Sequence, residues 1–312
     1  MPTRVAGAIG PQSFFVLLQQ SFHLILRDQR PWPAYLFFSR KLFNPFERNN
    51  LFKIMDEKQM RLHGKVAIVT GSAVGLGRAV AERFAREGAA LVAADVNEKQ
   101  GSAEVDRLKA DGLKALFVRT DISDENSVAA MTDAALERYG RIDVLYNNAS
   151  ILDSARDTVL HEMTLENWEY ILGINLRGPF LCSKHVIPSM LKQGGGSIIL
   201  TGSPTGLTGC APKLTAYSVG KGGIAAMTLV MAAAYARSGI RVNSVVPGTM
   251  DTPMNRYVLS DPKTREEYRQ AVPLGRLGTP EDMAGVAVFL ASDESSYCTG
   301  STYMCDGGLT NI

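Results

Sequence analysis

The sequence predicts a doubly wound α/β fold, in which helices cover both faces of one parallel sheet of about seven strands. Two features predict it. From residue 65 onward, short apolar runs alternate with longer segments of helical periodicity, a pattern typical of a parallel sheet with crossover helices. The first apolar run also ends in a glycine turn, Gly71-x-x-x-Gly75-x-Gly77, after which a helical pattern begins.

The predicted elements follow this alternation along the chain. Strands are predicted near 66–70, 90–95, 115–119, 144–146, 197–201, 242–245 and 302–304. Helices are predicted over 75–87, 98–111, 125–139, 165–192, 216–238, 265–270 and 281–291. No internal repeat or low-complexity linker follows residue 60, so we expect a single domain over 60–312 and an N-terminal extension over 1–59.

The first 59 residues differ in composition from the rest of the chain. They carry eight Lys or Arg and four Asp or Glu, a net charge of +4, whereas the remaining 25 basic and 27 acidic residues give −2. Apolar residues at helical spacing predict an amphipathic helix over 13–27, which is shorter than the about 20 apolar residues that span a membrane. No clear secretory cleavage site follows it. Three interpretations stay open: a targeting or membrane-surface segment, a partner-docking arm, and an upstream translation with Met60 as the natural start.

The overall composition indicates an ordinary soluble protein. Of 312 residues, 46% are hydrophobic and 21% are charged, and the net charge of +2 gives no indication of a nucleic-acid partner. The four cysteines, at 182, 210, 298 and 305, include no Cys-x-x-Cys pair, so neither a zinc site nor a disulfide framework is expected. Reduced thiols are typical of the cytoplasm, where we expect this protein to reside.

The glycine turn predicts an anion site. Gly71 permits a sharp turn at the strand end, Gly75 has no Cβ to block a pyrophosphate, and Gly77 lets the helix lie close to the strand. Free N–H groups at the start of the helix, together with the helix dipole, attract the phosphates of a dinucleotide. Glycine turns also join strands and helices that bind no nucleotide, so the motif alone leaves that alternative open.

A carboxylate closes the second predicted strand. Asp95 lies 20 positions beyond Gly75, where dinucleotide-binding folds place the acid that binds the adenosine ribose. A carboxylate there accepts hydrogen bonds from the ribose hydroxyls and repels a 2′-phosphate, and neither Val74 nor Val96 supplies a cation for that phosphate. NAD is therefore expected in preference to NADP. Asp95 as a simple turn-former is the alternative, and Asp121 after the third strand has the same ambiguity.

A tyrosine and a lysine share one helix face. Tyr217 and Lys221 are four residues apart, so their side chains can converge. A free phenol titrates near pKa 10, and a nearby ammonium lowers that pKa by stabilising the phenolate. The pair can therefore act as an acid or base near neutral pH. Tyr and Lys at this spacing also occur on solvated helix faces, which is the alternative when the pair is considered alone.

These features occur in one order along the chain. The glycine turn, here Thr70-Gly71-x-x-x-Gly75-x-Gly77, is followed by Asp95, Asn147-Asn148-Ala149, Asn175, Ser203 and Tyr217-x-x-x-Lys221. Pro247-Gly248-Thr249-Met250-Asp251-Thr252 and Asp306-Gly307-Gly308 continue the order. Residues 60–312 thereby resemble the short-chain dehydrogenase/reductase family, and the resemblance implies a Rossmann-type fold.

The resemblance implies four catalytic roles. Tyr217 is expected to take the hydroxyl proton of an alcohol, and Lys221 to lower the pKa of Tyr217 and bind the nicotinamide ribose. Ser203 is expected to hold the substrate oxygen, and Asn175 to hold a water on a proton path from the lysine to solvent. From the residues alone, Ser203 can equally close a strand and Asn175 can bond to backbone.

The resemblance also implies the residues around the cofactor and the substrate. The expected cofactor contacts are Gly71, Ser72, Val74, Gly75, Leu76, Gly77, Asp95, Val96, Asp121, Ile122, Asn148, Ala149, Tyr217, Lys221, Pro247, Gly248, Met250 and Thr252. The expected substrate contacts are Ser150, Leu152, Ser203, Leu207 and Tyr217, with Ile151, Asp153 and Pro204 beside them and a lid over 254–271. Ser150 stands where the family usually has glycine, so it narrows the pocket or adds a hydrogen bond.

The resemblance therefore implies an NAD-dependent oxidoreductase that interconverts a secondary alcohol and a ketone by hydride transfer, without a metal and as a homotetramer. Within enzymes, the alternative is a reductase of 3-oxoacyl thioesters, which in this family generally uses NADPH and against which Asp95 argues. From a different class, the alternative is a catalytically silent NAD-binding scaffold or sensor. A silent protein has no reason to keep all four catalytic residues.

Overall fold

A seven-stranded parallel sheet forms the centre of the computed structural model, which describes residues 60–310. The strands are β1 (Val66–Thr70), β2 (Ala90–Asp95), β3 (Ala115–Arg119), β4 (Val144–Asn147), β5 (Gly196–Thr201), β6 (Ile240–Pro247) and β7 (Thr302–Cys305). Their order in the sheet is β3-β2-β1-β4-β5-β6-β7. The helix predicted over 13–27, like the rest of the extension, lies outside the described residues.

The strand order reverses between β1 and β4. The chain runs outward from β1 through β2 to β3 and then returns to pair β4 with the other side of β1, so that Ile68 is paired with both Val92 and Leu145. In doubly wound folds, ligands bind in the crevice that opens at the carboxyl ends of the strands at this reversal. The reversal therefore locates the crevice above the ends of β1 and β4.

Helices connect the strands and cover both faces of the sheet. They are α1 (Gly75–Arg86), α2 (Glu98–Ala110), α3 (Glu125–Tyr139), α4 (Leu165–Leu172), α5 (Gly178–Gln193), α6 (Thr215–Tyr235), α7 (Arg256–Leu259), α8 (Pro262–Ala271) and α9 (Pro280–Ala291). Four helices begin at a side chain that accepts a hydrogen bond from a backbone N–H of the first turn, namely Asn97, Asp124, Thr164 and Asp261. The N-cap residues of α1 and α6 make no such bond.

Two apolar layers hold the helices to the sheet. On one face, Phe84 of α1 and Leu290 of α9 pack with Tyr146 of β4. On the other face, Val186 of α5 packs with Leu145 of the same strand, among residues of α3 and α6. Because successive strand residues face opposite sides, a strand buried between two layers is apolar along its whole length. The predicted fold class is confirmed.

The structure divides the helix predicted over 165–192. A π-helical segment, Gly173–Arg177, separates α4 from α5. Within it, the buried Asn175 side chain accepts a hydrogen bond from Ile151 N–H at 2.8 Å and donates one to Ile151 C=O at 2.8 Å. The widened π-helical turn thus coincides with the bonds from the Asn175 side chain to the loop at Ile151. π-Helical segments of this kind are frequent at functional sites.

One helical stretch among residues 60–310, Thr215–Ser238, is long and apolar enough to cross a membrane by length and composition alone. It comprises α6 and a short 3₁₀ turn, and it packs on β6 of the sheet. A core helix of an α/β domain meets the same criterion, so this stretch is only weak evidence for a membrane-spanning helix.

Candidate active site

The glycine turn lies at the carboxyl end of β1, at the reversal of strand order. Gly71 and Gly75 have φ values of +66° and +58°, in the left-handed region that favours glycine. A Cβ on Gly77 would lie 1.9 Å from the carbonyl oxygen of Gly71, so only glycine lets α1 start this close to the strand. Each glycine of the motif thus has a local physical reason.

The start of α1 is suited to an anion. Its N-cap residue Val74 makes no side-chain hydrogen bond to the first turn, and that turn contains no acidic residue. The first N–H groups of a helix have no partner within the helix, so those of Gly75, Leu76 and Gly77 remain available at its positive end. The residues present therefore fit the pyrophosphate of a dinucleotide.

Thr70, whose role has no signature in the sequence, joins the ends of β1 and β4. The Thr70 hydroxyl accepts hydrogen bonds from the N–H groups of Asn148 at 3.0 Å and Ala149 at 3.1 Å. The Asn148 amide donates in return to the carbonyl oxygens of Thr70 at 3.1 Å and Gly71 at 3.2 Å. These four bonds bring the two expected cofactor segments together. Thr70 was visible in the motif, but nothing in its spacing marked its hydroxyl.

Asp95 closes β2 and lies against the glycine turn. One carboxylate oxygen accepts a hydrogen bond from Ala73 N–H of the glycine turn at 2.9 Å, and the other from Asn97 N–H at 2.9 Å, so Asp95 does form a turn. It is flanked by Val74 and Val96, which are 41% and 57% exposed. The acid thus lies against the phosphate-binding turn with apolar, uncharged neighbours.

Three other expected cofactor residues have partners within the protein. The Ser72 hydroxyl is buried and donates to Ala94 C=O at 3.3 Å. The Asp121 carboxylate accepts from the N–H and hydroxyl of Ser123, at 2.9 and 2.7 Å. The side chain of Ile122 is part of the core beside α5. Their side chains are therefore engaged within the protein.

Tyr217, Lys221 and Ser203 lie together at the carboxyl end of β5. Tyr217 and Lys221 are buried on one face of α6, with the Lys221 ammonium 5.7 Å from the centre of the Tyr217 ring. The ammonium donates a hydrogen bond to Thr201 C=O at 2.8 Å, a contact with no signature in the sequence. A Cβ on Gly206 would lie 2.4 Å from the Lys221 carbonyl carbon, so the turn after Ser203 packs directly on α6.

Burial controls the titration of this pair. Burial raises the pKa of the Tyr217 phenol above its ordinary value, and the nearby Ser203 hydroxyl lowers it by a smaller amount. Burial also lowers the pKa of Lys221 from 10.5 to about 8, so the amine is mostly protonated at neutral pH. In the protein by itself, the pKa of Tyr217 is therefore raised, because desolvation outweighs the effect of the Ser203 hydroxyl.

The segment after β6 reaches the glycine turn. A Cβ on Gly75 would lie 3.6 Å from Pro253 and 3.8 Å from Thr252, while a Cβ on Gly248 would lie 2.7 Å from the Asp306 Cα. Met250 is buried, and its carbonyl accepts from the Asn255 amide at 2.8 Å. Of the expected residues on this segment, Thr252 lies beside the phosphate-binding turn, and Pro247, Gly248 and Met250 precede it along the chain.

Apart from Tyr217 on α6, the expected substrate residues lie on the loops that follow β4 and β5. Ser150 and Leu152, after β4, are partly exposed, and Leu207, after Ser203, is 45% exposed. The lid predicted over 254–271 contains α7 and α8, and an ion pair between Arg265 and Asp251 joins α8 to the segment after β6. Within residues 60–310, no three His, Cys, Asp or Glu side chains are arranged to hold a metal ion.

Comparisons with known proteins agree with this geometry. The family model described as enoyl-(acyl carrier protein) reductase matches residues 71–310. The 3-oxoacyl-[acyl-carrier-protein] reductase FabG of Thermotoga maritima is 41% identical over 252 residues, which is 80% of this chain and 99% of that protein. Cis-4-hydroxycyclohexanecarboxylate dehydrogenase of Sinomonas cyclohexanicum is 42% identical over 249 residues, 80% of this chain and 97% of that protein.

A solved structure matches as well. The crystal structure of a candidate NAD(P)-dependent gluconate 5-dehydrogenase from Beutenbergia cavernae, with NADP bound at low occupancy, is 32% identical. It covers 81% of this chain and 99% of its own, with a TM-score of 0.76. The fold and site define an oxidoreductase with an NAD(P)-binding Rossmann fold. The chain belongs to the short-chain dehydrogenase/reductase family.

Proposed function

We propose that the protein is an NAD-dependent oxidoreductase that interconverts a secondary alcohol and a ketone, with Tyr217 as the general acid and base. The observation that carries the proposal is the buried Tyr217–Lys221 pair, which lies beside Ser203 at the same edge of the sheet as the phosphate-binding turn. A phenol, an ammonium and a hydroxyl in one crevice are the groups that proton transfer at an alcohol oxygen requires.

Each side chain has a distinct task in this proposal. Ser203 donates a hydrogen bond to the substrate oxygen, and Tyr217 takes the hydroxyl proton during oxidation and returns it during reduction. The Lys221 ammonium stabilises the phenolate and holds the ribose hydroxyls of the nicotinamide. Asn175 uses one donor and one acceptor on Ile151 and keeps one of each for a water that leads to solvent. When bound, NAD supplies the acceptor for the hydride of the substrate carbon.

The cofactor would be held by residues from the ends of β1, β2, β4 and β6. Gly75, Leu76 and Gly77 would bind the pyrophosphate, and Asn148 and Ala149 would line the adenosine side. Thr252 and the Met250 backbone would lie near the nicotinamide carboxamide. Asp95 would select NAD, since its carboxylate repels a 2′-phosphate and neither Val74 nor Val96 offers a compensating cation.

Replacing Asp95 is expected to change the choice of cofactor. In Asp95→Ala, the ratio of kcat/KM for NAD to that for NADP should fall by about tenfold or more, because the repulsion of the 2′-phosphate is lost. Activity with NAD should also fall, since Ala73 N–H loses its acceptor. Adding Val96→Arg should raise activity with NADP further. Steady-state kinetics with both cofactors measure this, and an unchanged ratio in both variants contradicts the role of Asp95.

Two substrate classes deserve a direct comparison. A secondary ring alcohol is suggested by the relative named for 4-hydroxycyclohexanecarboxylate and by the apolar Leu152 and Leu207 at the crevice. A 3-oxoacyl thioester is suggested by the relative named as a 3-oxoacyl-[acyl-carrier-protein] reductase. The secondary alcohol is the better supported class, because Asp95 disfavours the NADPH that such reductases generally use.

A substrate panel tests the proposed function. The protein is incubated with secondary alcohols and NAD or NADP, and with ketones and a 3-oxoacyl thioester plus NADH or NADPH, while the absorbance of reduced nicotinamide is followed. Turnover of alcohols with NAD supports the proposal. Turnover of the thioester alone supports the alternative reductase, and no turnover of any compound favours a silent NAD-binding scaffold.

We also propose a homotetramer, which the family resemblance implies and an exposed apolar surface supports. Phe180 of α5 and Leu229 and Val230 of α6 are 50%, 61% and 68% exposed. Leu229→Glu with Val230→Glu should lower the mass measured by light scattering to two chains or fewer, because like charges would face each other across an interface. Tyr257→Ser, at a lid residue that is 86% exposed, is the matched control and should leave the mass unchanged. A double variant of unchanged mass contradicts this interface.

A further inference from the structure

A buried carboxylate from the substrate loop, residues 148–159, caps the helix that carries Tyr217. Asp157 is 4% exposed, and its two oxygens accept hydrogen bonds from the backbone N–H groups of Ala216 at 3.0 Å and of Tyr217 itself at 2.8 Å. The hydroxyl of Thr215 also donates to the carbonyl oxygen of Thr158 at 2.6 Å. Three bonds thus join the loop to the first turn of α6.

The helix has no cap of its own to perform this task. Its N-cap residue, Leu214, makes no side-chain hydrogen bond, and its first turn contains no acidic residue. Four other helices are capped by their own N-cap side chain, whereas α6 takes its cap from a residue about 60 positions earlier. Buried N–H groups need a partner, so the first turn of α6 depends on the loop for its position.

The same loop is tied at its other end to Asn175. Ile151 exchanges two hydrogen bonds of 2.8 Å with the Asn175 side chain, and the Arg156 guanidinium lies 4.8 Å from the centre of the Tyr170 ring on α4. The expected substrate residue Leu152 lies between the two anchors, and Ser150 directly precedes the first of them. The loop therefore connects the substrate pocket to two of the four expected catalytic residues.

We propose that Asp157 is a positioning residue: it clamps the substrate loop to the first turn of α6 and so sets where the Tyr217 phenol stands relative to Ser203. The inference rests on the proposed oxidoreductase function. A displacement of about 1 Å at a reacting group can lower the rate about a hundredfold. Loss of the clamp should therefore act on turnover and substrate binding and leave the phosphate-binding turn, which the three bonds do not involve, unaffected.

The test compares Asp157 with a second buried carboxylate. Asp143 is 9% exposed and accepts Val66 N–H at 2.8 Å, but it lies at the amino end of β4, away from the crevice. Asp157→Ala should lower kcat about 10- to 100-fold and raise KM for the alcohol, while the dissociation constant of NADH, measured by fluorescence, changes less than about twofold. Asp157→Asn, which keeps one acceptor oxygen, should show a smaller fall in kcat than Asp157→Ala. Asp143→Asn should lower the melting temperature with kcat unchanged.

Thr215→Val provides a milder variant in case Asp157→Ala does not fold, since it removes only the Thr215 bond to the loop. It should lower kcat in the same direction by about twofold to fivefold, in keeping with one lost hydrogen bond. An active wild type in which the loop variants and Asp143→Asn show equal kcat overturns the positioning role and leaves the proposed function standing. If the wild type turns over no substrate, both the positioning role and the proposed function are refuted.

Discussion

Tyr217→Phe is expected to remove turnover while leaving the cofactor site intact. Acid–base catalysis by a positioned side chain contributes about 10²- to 10⁴-fold, and the substitution deletes only the phenol oxygen, so kcat should fall by about that factor. The ring still fills the buried space on α6. NADH should therefore bind with a dissociation constant within about twofold of the wild type, because the phosphate-binding turn is untouched. Stopped-flow or steady-state kinetics and a fluorescence titration measure the two quantities.

A second buried tyrosine supplies the control for that experiment. Tyr146 is completely buried between the sheet and α1, and its hydroxyl, which lies beside the Thr201 side chain, makes no hydrogen bond of normal geometry among residues 60–310. Tyr146→Phe makes the same chemical change outside the proposed machinery. It should leave kcat unchanged and should not lower stability, since burying an unpaired hydroxyl has a free-energy cost. Retained turnover in Tyr217→Phe would exclude the tyrosine as the acid or base.

Lys221→Met is expected to abolish most activity and to stabilise the protein. In the proposed mechanism the ammonium is the partner of the Tyr217 phenolate and of the nicotinamide ribose, so kcat/KM should fall by at least about a hundredfold without it. Burial lowers the pKa of Lys221 to about 8, which means that the charged form is held at a cost to folding. After the lost bond to Thr201 C=O is counted, the free energy of unfolding at pH 7 should rise by about 1–3 kcal/mol.

The rise in unfolding free energy of Lys221→Met should depend on pH, because burial lowers the pKa of Lys221. Below pH 8 the lysine is protonated in both the folded and unfolded states, so the cost of its buried charge is fully present. As the pH rises from 8 toward 10, the folded state loses the proton that the unfolded state retains, and the cost disappears. The difference in unfolding free energy between Lys221→Met and the wild type should thus be largest at neutral pH and smallest near pH 10.

Urea unfolding of the cofactor-free protein at several pH values measures this difference. Lys184→Met is the matched control, because Lys184 is half-exposed and pairs with Glu125 at the surface, where an ion pair contributes little. The unfolding free energy of Lys184→Met should differ from that of the wild type by no more than about 0.5 kcal/mol, and this difference should not shrink between pH 8 and 10. A difference for Lys221→Met that grows with pH would contradict the buried ammonium.

Local patterns made the sheet and the cofactor turn predictable. The strands predicted over 66–70, 90–95 and 115–119 have the bounds of β1, β2 and β3, because strands buried on two faces are short continuous apolar runs. The glycine motif was informative because a positive φ and a close helix approach each exclude other residues. The helix predicted over 165–192 was divided by Asn175, whose side-chain bonds to Ile151 no helical periodicity reports.

Contacts between distant segments could not be predicted. Asp157 and Tyr217 are 60 residues apart, and one aspartate in a loop is indistinguishable from its neighbours until the loop folds onto α6. The contact of the Thr70 hydroxyl with Asn148 could not be predicted either, since many threonines face solvent. The same holds for the bond from Lys221 to the Thr201 carbonyl, since every residue offers a carbonyl. The net direction of the Tyr217 pKa shift could not be predicted either, because burial depends on everything packed around the phenol.

The sequence by itself determined the sheet, the glycine turn and one shared helix face: apolar runs specify strands, glycines specify the turn, and a four-residue spacing places Tyr217 and Lys221 together. Only the tertiary structure decided how those groups are held and how readily they ionise. Desolvation and cross-chain hydrogen bonds act through space, so the titration of Lys221 and the clamp at Asp157 arise when distant segments exclude water together.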